Sequence, residues 1–99
     1  MTPEQRLEKM GLRLPDVPVP VANYVPWRFA GNLLYLSGQG PKRADGTYRV
    51  GRLGRDISVD EAYQEARLTG LNLLAAAKAA LGNLERIEAV IKLLGMVNA

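Results

Sequence analysis

The sequence predicts an α+β domain in which one sheet is covered on one face by a long helix. Two observations support this prediction. Two short runs of strand-forming residues flank Gly31-Asn32, a dipeptide typical of two-residue hairpin turns. Further along, the capping signature Ser58-Val59-Asp60-Glu61 opens a segment with helical apolar periodicity that ends before Gly82. We therefore expect a hairpin followed by a helix from Val59 to about Leu81.

Length and composition indicate one small domain. The 99 residues are 47% hydrophobic and 23% charged, values typical of a globular protein. No apolar run approaches the length of a transmembrane helix and no signal peptide is visible, so we expect a cytoplasmic protein without membrane contact. The chain has no cysteine and no histidine. Disulfides, thiol catalysis and thiolate metal sites are therefore excluded, and we expect no metal or other cofactor.

The first twenty residues predict a short helix and a stiff connector. Thr2 is a candidate N-cap, Pro3 fits the first helical position, and Gln5 would complete a capping box. Gly11 is a natural end for this helix. Prolines at positions 15, 18 and 20 then impose an extended segment. We divide the single domain 1–99 into this N-terminal part, 1–20, and a body of sheet and long helix, 21–99.

The predicted strands cover residues 21 to 29 and 33 to 36. Pro26 indicates that the first strand is an edge strand or is bulged there. The second strand is apolar on both faces, so we expect both of its faces to be covered. Asp45-Gly46 marks a second turn, between residues 37–43 and 47–53.

The last segment, residues 84 to 97, is ambiguous. Its apolar residues have helical spacing at positions 84, 87, 91 and 94, but the dense apolar run from 89 to 97 also suits a buried strand. Periodicity leaves both structures open.

Basic residues are densest around the second turn. The cluster consists of Lys42, Arg43, Arg49, Arg52 and Arg55, in a chain of net charge +3. Such a cluster is compatible with nucleic-acid binding, but no base-stacking motif accompanies it. We therefore favour a solvated hairpin and do not expect nucleic acid as a partner.

The end of the second strand is the candidate site. Ser37, Gly38, Gln39 and Gly40 bring a hydroxyl group, bare backbone and an amide to the end of an apolar strand, and Pro41 ends further pairing. Small-molecule sites are often built at the ends of buried strands, where the sheet holds polar groups still.

The same stretch carries a family resemblance. Asn23-Tyr24-Val25, followed by the run from Ala30 to Pro41 with its Gly-Asn turn and Ser-Gly-Gln-x-Pro strand end, resembles the N-terminal part of the RidA/YjgF superfamily. Members of that superfamily are reactive-intermediate deaminases, long described as L-PSP endoribonucleases. The resemblance continues to about Asn98 and covers roughly the N-terminal two-thirds of the family's fold, so the fold looks truncated at its C-terminus.

The resemblance implies a chorismate-mutase-like fold, a homotrimer with ligand clefts between subunits, and a strand from about Ile87. It implies hydrolysis of 2-enamines and 2-imines, derived from amino acids, to 2-keto acids and ammonia. Matched by position, Tyr24 and Ser37 are the candidate catalytic residues. The candidate substrate-binding residues are Gly38, Gln39 and Gly40. An imine is already electrophilic, so such a site must mainly hold its carboxylate and position a water.

The sequence also departs from the family pattern. The family's carboxylate-binding arginine and the acidic residue after it belong to a later strand, and the sequence reaches Ala99 before either. Arg28 or Arg52 could substitute. The Gln39-Gly40-Pro41 variant also lacks the aliphatic residue that commonly precedes the proline.

Three functional hypotheses follow: an imine deaminase completed across subunits, a non-catalytic small-ligand module, and an RNA-binding or RNA-cleaving protein, which ranks last. A final apolar strand would leave an open sheet edge, so we expect self-association, as a trimer or by sheet extension.

Overall fold

The computed structural model describes residues 1–17 and 25–99, and its elements follow the predicted order up to the end of the long helix. Helix α1 spans Pro3–Lys9, strands β1 and β2 span Trp27–Ala30 and Leu33–Leu36, and helix α2 spans Val59–Leu81. A short 3₁₀ turn, Leu84–Arg86, follows α2. The α+β prediction is confirmed, with a two-stranded antiparallel sheet and one long helix.

Helix α1 begins and ends as its sequence predicts. The Thr2 hydroxyl accepts from the Gln5 N–H at 3.2 Å, and the Gln5 side chain accepts from the Thr2 N–H at 2.9 Å. At the other end, the Gly11 N–H donates to the Glu8 carbonyl and the Leu12 N–H to the Leu7 carbonyl. These two bonds form a Schellman motif, which satisfies carbonyls at the helix end.

The hairpin is antiparallel, and its register joins Trp27 to Leu36 and Ala30 to Leu33 across the two-residue turn. Directly opposed residues share a face, so Trp27, Leu34 and Leu36 lie on one side, where they are partly buried near α2. The other face carries Arg28, Leu33 and Tyr35, all exposed.

Two strand expectations are corrected by this arrangement. In a single chain the second strand is not covered on both faces, because the described residues place only helix α2 against the sheet, on one face. Among the described residues, strand β1 begins at Trp27, and Val25 and Pro26 lie before it. Residues 21 to 24 of the expected strand lie outside the described residues.

Helix α2 has the predicted caps. Its N-cap Ser58 accepts from the Glu61 N–H at 3.2 Å and Glu61 accepts in return from the Ser58 N–H. Its C-cap Gly82 has φ 88°, a conformation that glycine adopts without strain. The helix contributes Asn72, Ala75, Ala76 and Ala77 to the buried interior, where they join the remaining buried side chains, Ile57 and Leu84. Small side chains allow this helix to approach the sheet closely.

The second turn also forms where it is predicted. The Gly46 N–H donates to the Arg43 carbonyl, and the Arg43 N–H donates to the Thr47 carbonyl, both at 2.9 Å. Asp45 accepts from the N–H and the hydroxyl of Thr47, which fixes the turn. The arms join only at an isolated bridge between Lys42 and Tyr48, so they form an irregular hairpin, here called the basic hairpin (residues 42–55).

The final residues, 87 to 99, form neither a helix nor a strand. Their apolar side chains are exposed, from 37% at Ile87 to 89% at Met96. Asn98 anchors this segment, because its carbonyl accepts from the Leu53 N–H at 2.8 Å and its amide donates to the Gly51 carbonyl at 3.2 Å. The helical alternative is thus wrong for a single chain, and the strand from Ile87 is not formed. A strand needs a partner ladder, and two bonds at one residue do not provide it.

Among the described residues, no helix is long and apolar enough to cross a membrane.

Candidate functional site

Ser37 is held at the end of β2 by two hydrogen bonds to the chain before β1. Its N–H donates to the Pro26 carbonyl at 3.0 Å, which continues the ladder by one residue. Its hydroxyl donates to the Val25 carbonyl through a short hydrogen bond. Because the hydroxyl proton is committed to that carbonyl, Ser37 Oγ can offer only its lone pairs to a ligand. Ser37 is thus arranged as an acceptor and not as an activated nucleophile.

The three residues after Ser37 differ in their surroundings. Gly38 is exposed, and no atom lies within 4 Å of where its Cβ would be. Gln39 is half-buried. Gly40 is packed closely, because a Cβ there would lie 3.1 Å from the ring of Tyr48. Of these residues, Gly38 therefore offers the most open approach.

Tyr24, the other predicted catalytic residue, lies outside the described residues. Its role remains a prediction. Its neighbour in sequence, Val25, is the residue whose carbonyl accepts from Ser37.

The loop that follows the strand end is tied to α2 by a buried amide. Asn72 is 2% exposed, and its Nδ2 donates to the Gly40 carbonyl at 3.0 Å and to the Lys42 carbonyl at 3.2 Å. The Gly40 carbonyl also accepts from the Lys42 N–H at 2.9 Å, which closes a γ-turn around Pro41. Asn72 is not among the site residues predicted from the sequence. The available signal was a polar residue inside the alanine- and leucine-rich stretch of a helix.

Two carboxylates on the same side of α2 bind the basic hairpin. Glu65 Oε1 lies 2.6 Å from Arg43 Nη2, and Glu61 Oε2 lies 2.5 Å from Arg49 Nη1. Glu61, Glu65 and Asn72 are spaced by four and seven residues, so they form one row along the helix, here called the polar stripe. The polar stripe fastens the segment from Gly40 to Arg49 onto α2.

These contacts neutralise much of the basic cluster. Arg55 also pairs with Asp56, at 3.0 Å, and this guanidinium, with the Arg52 N–H, holds the pKa of Asp56 below its ordinary value. Hydrogen bonds from the backbone and hydroxyl of Ser58, together with Arg49, lower the pKa of Glu61. Three of the five cations in the cluster are thus paired with carboxylates, which weakens the cluster as a binding surface for phosphates.

Arg28 and Arg52, the two candidate substitutes for the family's arginine, have different surroundings. Arg28 pairs in register with Tyr35 on the open face of the sheet. Ser37 follows Tyr35 by two residues in a continued ladder, so it shares that face. Arg52 belongs to the basic hairpin, where its N–H donates to Asp56. Neither guanidinium forms an ion pair with the described residues, but only Arg28 shares a sheet face with the strand end.

The described residues also form a groove that lies apart from the strand end. An open groove of about 500 Å³ lies between α1 and the C-terminal part of α2, lined in part by Glu4, Glu8 and Lys78. In residues 1–17 and 25–99, no three carboxylates come together in a group that could hold a metal ion.

Comparison with known proteins agrees with the fold and with the strand-end motif. The family described as "YjgF/chorismate mutase-like, putative endoribonuclease" matches residues 4–99. Protein TCP17 of Trypanosoma cruzi is 38% identical over 93 residues. Among solved structures, a putative endoribonuclease from Shewanella oneidensis MR-1 superposes with a TM-score of 0.81 at 43% identity, and it matches 89% of this chain. The protein Atu1372 of unknown function, from Agrobacterium tumefaciens, has a TM-score of 0.69 at 45% identity and matches 83% of the chain.

The relatives are longer than this chain. The matched regions cover 94%, 89% and 83% of this chain, but 58% of TCP17, 58% of the Shewanella protein and 48% of Atu1372. The family match nevertheless extends over almost the whole chain, and it includes the hairpin, the strand end and the long helix. The chain therefore belongs to the YjgF/chorismate mutase-like family.

Proposed function

We propose that the chain is a RidA-like hydrolytic deaminase that converts reactive 2-enamine and 2-imine intermediates to 2-keto acids and ammonia, with its site between subunits. The observation that carries the proposal is the strand end itself: Ser37 is fixed by its bond to the Val25 carbonyl, and it precedes Gly38, where a side chain would meet no atom beyond the chain neighbours within 4 Å. Family membership supports the same reading. A cytoplasmic location is part of this proposal.

The chemistry needs few groups. Water adds to the imine carbon to give a carbinolamine, and cleavage of the C–N bond then releases ammonia and leaves the keto acid. Tyr24 would orient the water or donate to the substrate. Ser37 Oγ, whose proton is committed, would accept from the water or from the iminium N–H. Gly38, Gln39 and Gly40 would form the wall against which the substrate lies. No histidine is required, because the substrate is already electrophilic.

The substrate carboxylate requires a cation, and we assign this role to Arg28. The support is its register beside Tyr35 on the sheet face shared by Ser37, together with a guanidinium that pairs with no carboxylate in the described residues. An arginine can bind a carboxylate with two parallel hydrogen bonds. Arg52 is the matched control, because it is also exposed and without an ion pair there but belongs to the basic hairpin.

Self-association completes the proposal. The open sheet face carries Leu33 and Tyr35 at 41% and 59% exposure, and residues 90 to 97 expose further apolar side chains. Apolar surface of this kind favours contact with another chain. A homotrimer would cover this face and form the ligand clefts between subunits.

The test is ammonia release from a freshly generated 2-imino acid, with the mass of the same sample measured by light scattering. We expect acceleration over the uncatalysed reaction from an oligomer. Arg28→Gln should raise KM strongly, and Arg52→Gln should leave it unchanged. Equal effects of the two variants would remove Arg28 from the site, and a monomer in dilute solution would count against the assembly.

Two other functions are outcomes of the same experiment. A well-folded oligomer that binds 2-keto acids without releasing ammonia would be a non-catalytic small-ligand module. RNA cleavage, suggested by the names of relatives, is disfavoured because Arg43, Arg49 and Arg55 are already paired with carboxylates. Salt-sensitive binding of a single-stranded RNA would revive it.

A further inference from the structure

We propose that Asn72 is a positioning residue of the candidate site, which holds the Gly38–Lys42 loop in place through the carbonyls of Gly40 and Lys42. The structural role of Asn72 does not depend on the proposed function, and only its expected effect on turnover rests on that function. Asn72 lies on α2, 30 residues after Lys42 and 32 after Gly40 in the sequence, and its side chain is almost fully buried.

The chemistry of the contact is directional. Both partners of Asn72 are carbonyl oxygens, which only accept, so the side chain must present its NH₂ group to both. A side chain of similar size without donors would take this donor from the Lys42 carbonyl and would leave the Gly40 carbonyl with the Lys42 N–H alone. A buried polar group without a partner is costly, so the loop would move to find water.

The loop depends on this contact for its shape. The Gly40 carbonyl accepts from Asn72 and from the Lys42 N–H, so a single oxygen fixes the γ-turn and the docking onto α2. On its other side, Gly40 packs against the Tyr48 ring. Gly38 and Gln39 lie between this fixed point and Ser37, which is itself bonded to Val25. The candidate site is therefore anchored at both ends, by the sheet at Ser37 and by α2 at Gly40.

The test uses Asn72→Asp, which keeps the shape of the side chain and removes its donors. Ala77→Gly is the matched control, because it perturbs a buried position of the same helix, five residues further on, with no hydrogen bond to the loop. Amide hydrogen exchange is measured on the full-length chain as protection factors, so that intrinsic exchange rates are removed. We expect the protection of the Lys42 and Arg43 amides to fall at least about tenfold in Asn72→Asp beyond any change in global stability. Ala77→Gly should change these amides only as much as it changes the rest of the helix.

A pH series separates hydrogen bonding from packing. Burial and two facing carbonyl oxygens raise the pKa of the carboxyl group introduced by Asn72→Asp. Once protonated, that group can donate to one carbonyl. The difference in protection of the Lys42 and Arg43 amides between Asn72→Asp and the unmodified protein should therefore become smaller as the pH falls. Glu61 and Glu65 bind the same hairpin through Arg49 and Arg43, and both ion pairs are present in Asn72→Asp and in the unmodified protein, so comparison of the two proteins isolates the effect of residue 72.

Two results would overturn the inference. One is equal protection of the Lys42 and Arg43 amides in Asn72→Asp and in Ala77→Gly. The other is a difference in protection between Asn72→Asp and the unmodified protein that stays the same at low pH. In the ammonia assay, Asn72→Asp should lower kcat/KM at least about tenfold, because small displacements of a site are expensive in rate, with Ala77→Gly near the unmodified value. If the unmodified protein releases no ammonia, the deaminase proposal fails, and the exchange measurement still decides the role of Asn72.

Discussion

Replacing glycine by alanine is expected to have opposite effects at two positions of this chain. At Gly51, a Cβ would lie 2.9 Å from Asp56 Cβ and 3.0 and 3.1 Å from Cγ1 and Cδ1 of Ile57. Ile57 is buried, at 9% exposure, so its side chain cannot move aside without disturbing the small core. At Gly38, by contrast, no atom lies within 4 Å of the added methyl group and φ is not positive.

The magnitudes follow from these distances. Overpacking of a well-packed site costs about 1–3 kcal/mol, so Gly51→Ala should lower the free energy of unfolding by about 2 kcal/mol. At Gly38 the backbone conformation suits alanine, and restriction of the unfolded chain should stabilise the protein by about 0.4–1 kcal/mol. A change of 1 kcal/mol moves the melting temperature of a domain of this size by about 4–8 °C. The two variants should therefore melt about 10 °C apart or more.

Thermal unfolding followed by circular dichroism measures this difference, with both variants at the same subunit concentration because association shifts apparent stability. If Gly51→Ala has the same melting temperature as the unmodified protein, Gly51 does not pack closely against Ile57. If Gly38→Ala is destabilised, the space beside Gly38 is not open. Because Gly38→Ala should fold normally, it also tests the site, where the added methyl should lower ammonia release by about tenfold or more by displacing the substrate. Unchanged turnover would remove Gly38 from the site.

Three further predictions concern the long helix and the tyrosine. Ser58→Ala should lower the free energy of unfolding by about 1 kcal/mol in a urea titration, because the helix loses its N-cap, and a negligible change would contradict the start of α2. Tyr24→Phe should reduce ammonia release while the mass from light scattering stays the same, and undiminished release would exclude Tyr24 from the mechanism. The folded-state pKa of Glu61 lies below its ordinary value of 4.5, so its carboxylate contributes stability that is complete above that value and is lost as the pH falls through the folded-state pKa. Glu61→Gln should therefore show a shallower fall in melting temperature than the unmodified protein on acidification below pH 4.5, and parallel curves would show that this carboxylate contributes nothing.

The features that sequence predicts well here are those determined by neighbouring residues. The caps at Thr2 and Ser58 require only a hydroxyl followed three residues later by Gln5 or Glu61, and both capping boxes form. Gly31-Asn32 sets the hairpin turn, and the register then follows from the turn length. Local chemistry decides such features before any tertiary contact is made.

The features that depend on distant partners are predicted less well. An apolar sequence does not show how many faces of a strand are covered. The apolar residues of β2 predict burial on both faces, but Tyr35 is 59% exposed. Residues 87 to 97 have the composition of a strand, but a ladder needs a partner that composition cannot name. The ion pairs of Arg43 and Arg49 with α2 could not be read from the sequence either, because 22 residues separate Arg43 from Glu65.

Asn72 shows the same limit at the candidate site. In the sequence it is one amide within the apolar stretch 70–77 of the helix, and nothing local connects it to a loop carbonyl 32 residues earlier. Helical periodicity would place it on the side of α2 that contains Glu65, seven residues before it. Periodicity does not identify the partners of Asn72, because every residue has a backbone carbonyl and the sequence does not show which ones accept its hydrogen bonds.

The anchoring of the strand end determines how a negative activity result would be interpreted. Ser37 is fixed to Val25, and Gly40 is fixed to Asn72, so the loop between them is held by contacts within one chain and without a ligand. Disorder of the loop backbone would therefore not explain an absence of activity. If the oligomer binds a 2-keto acid but does not release ammonia, the missing element is therefore a chemical group that acts on the imine or positions the water, and not the geometry of the loop. Binding and turnover measured on the same sample would separate these two causes, because a disordered loop would weaken both together.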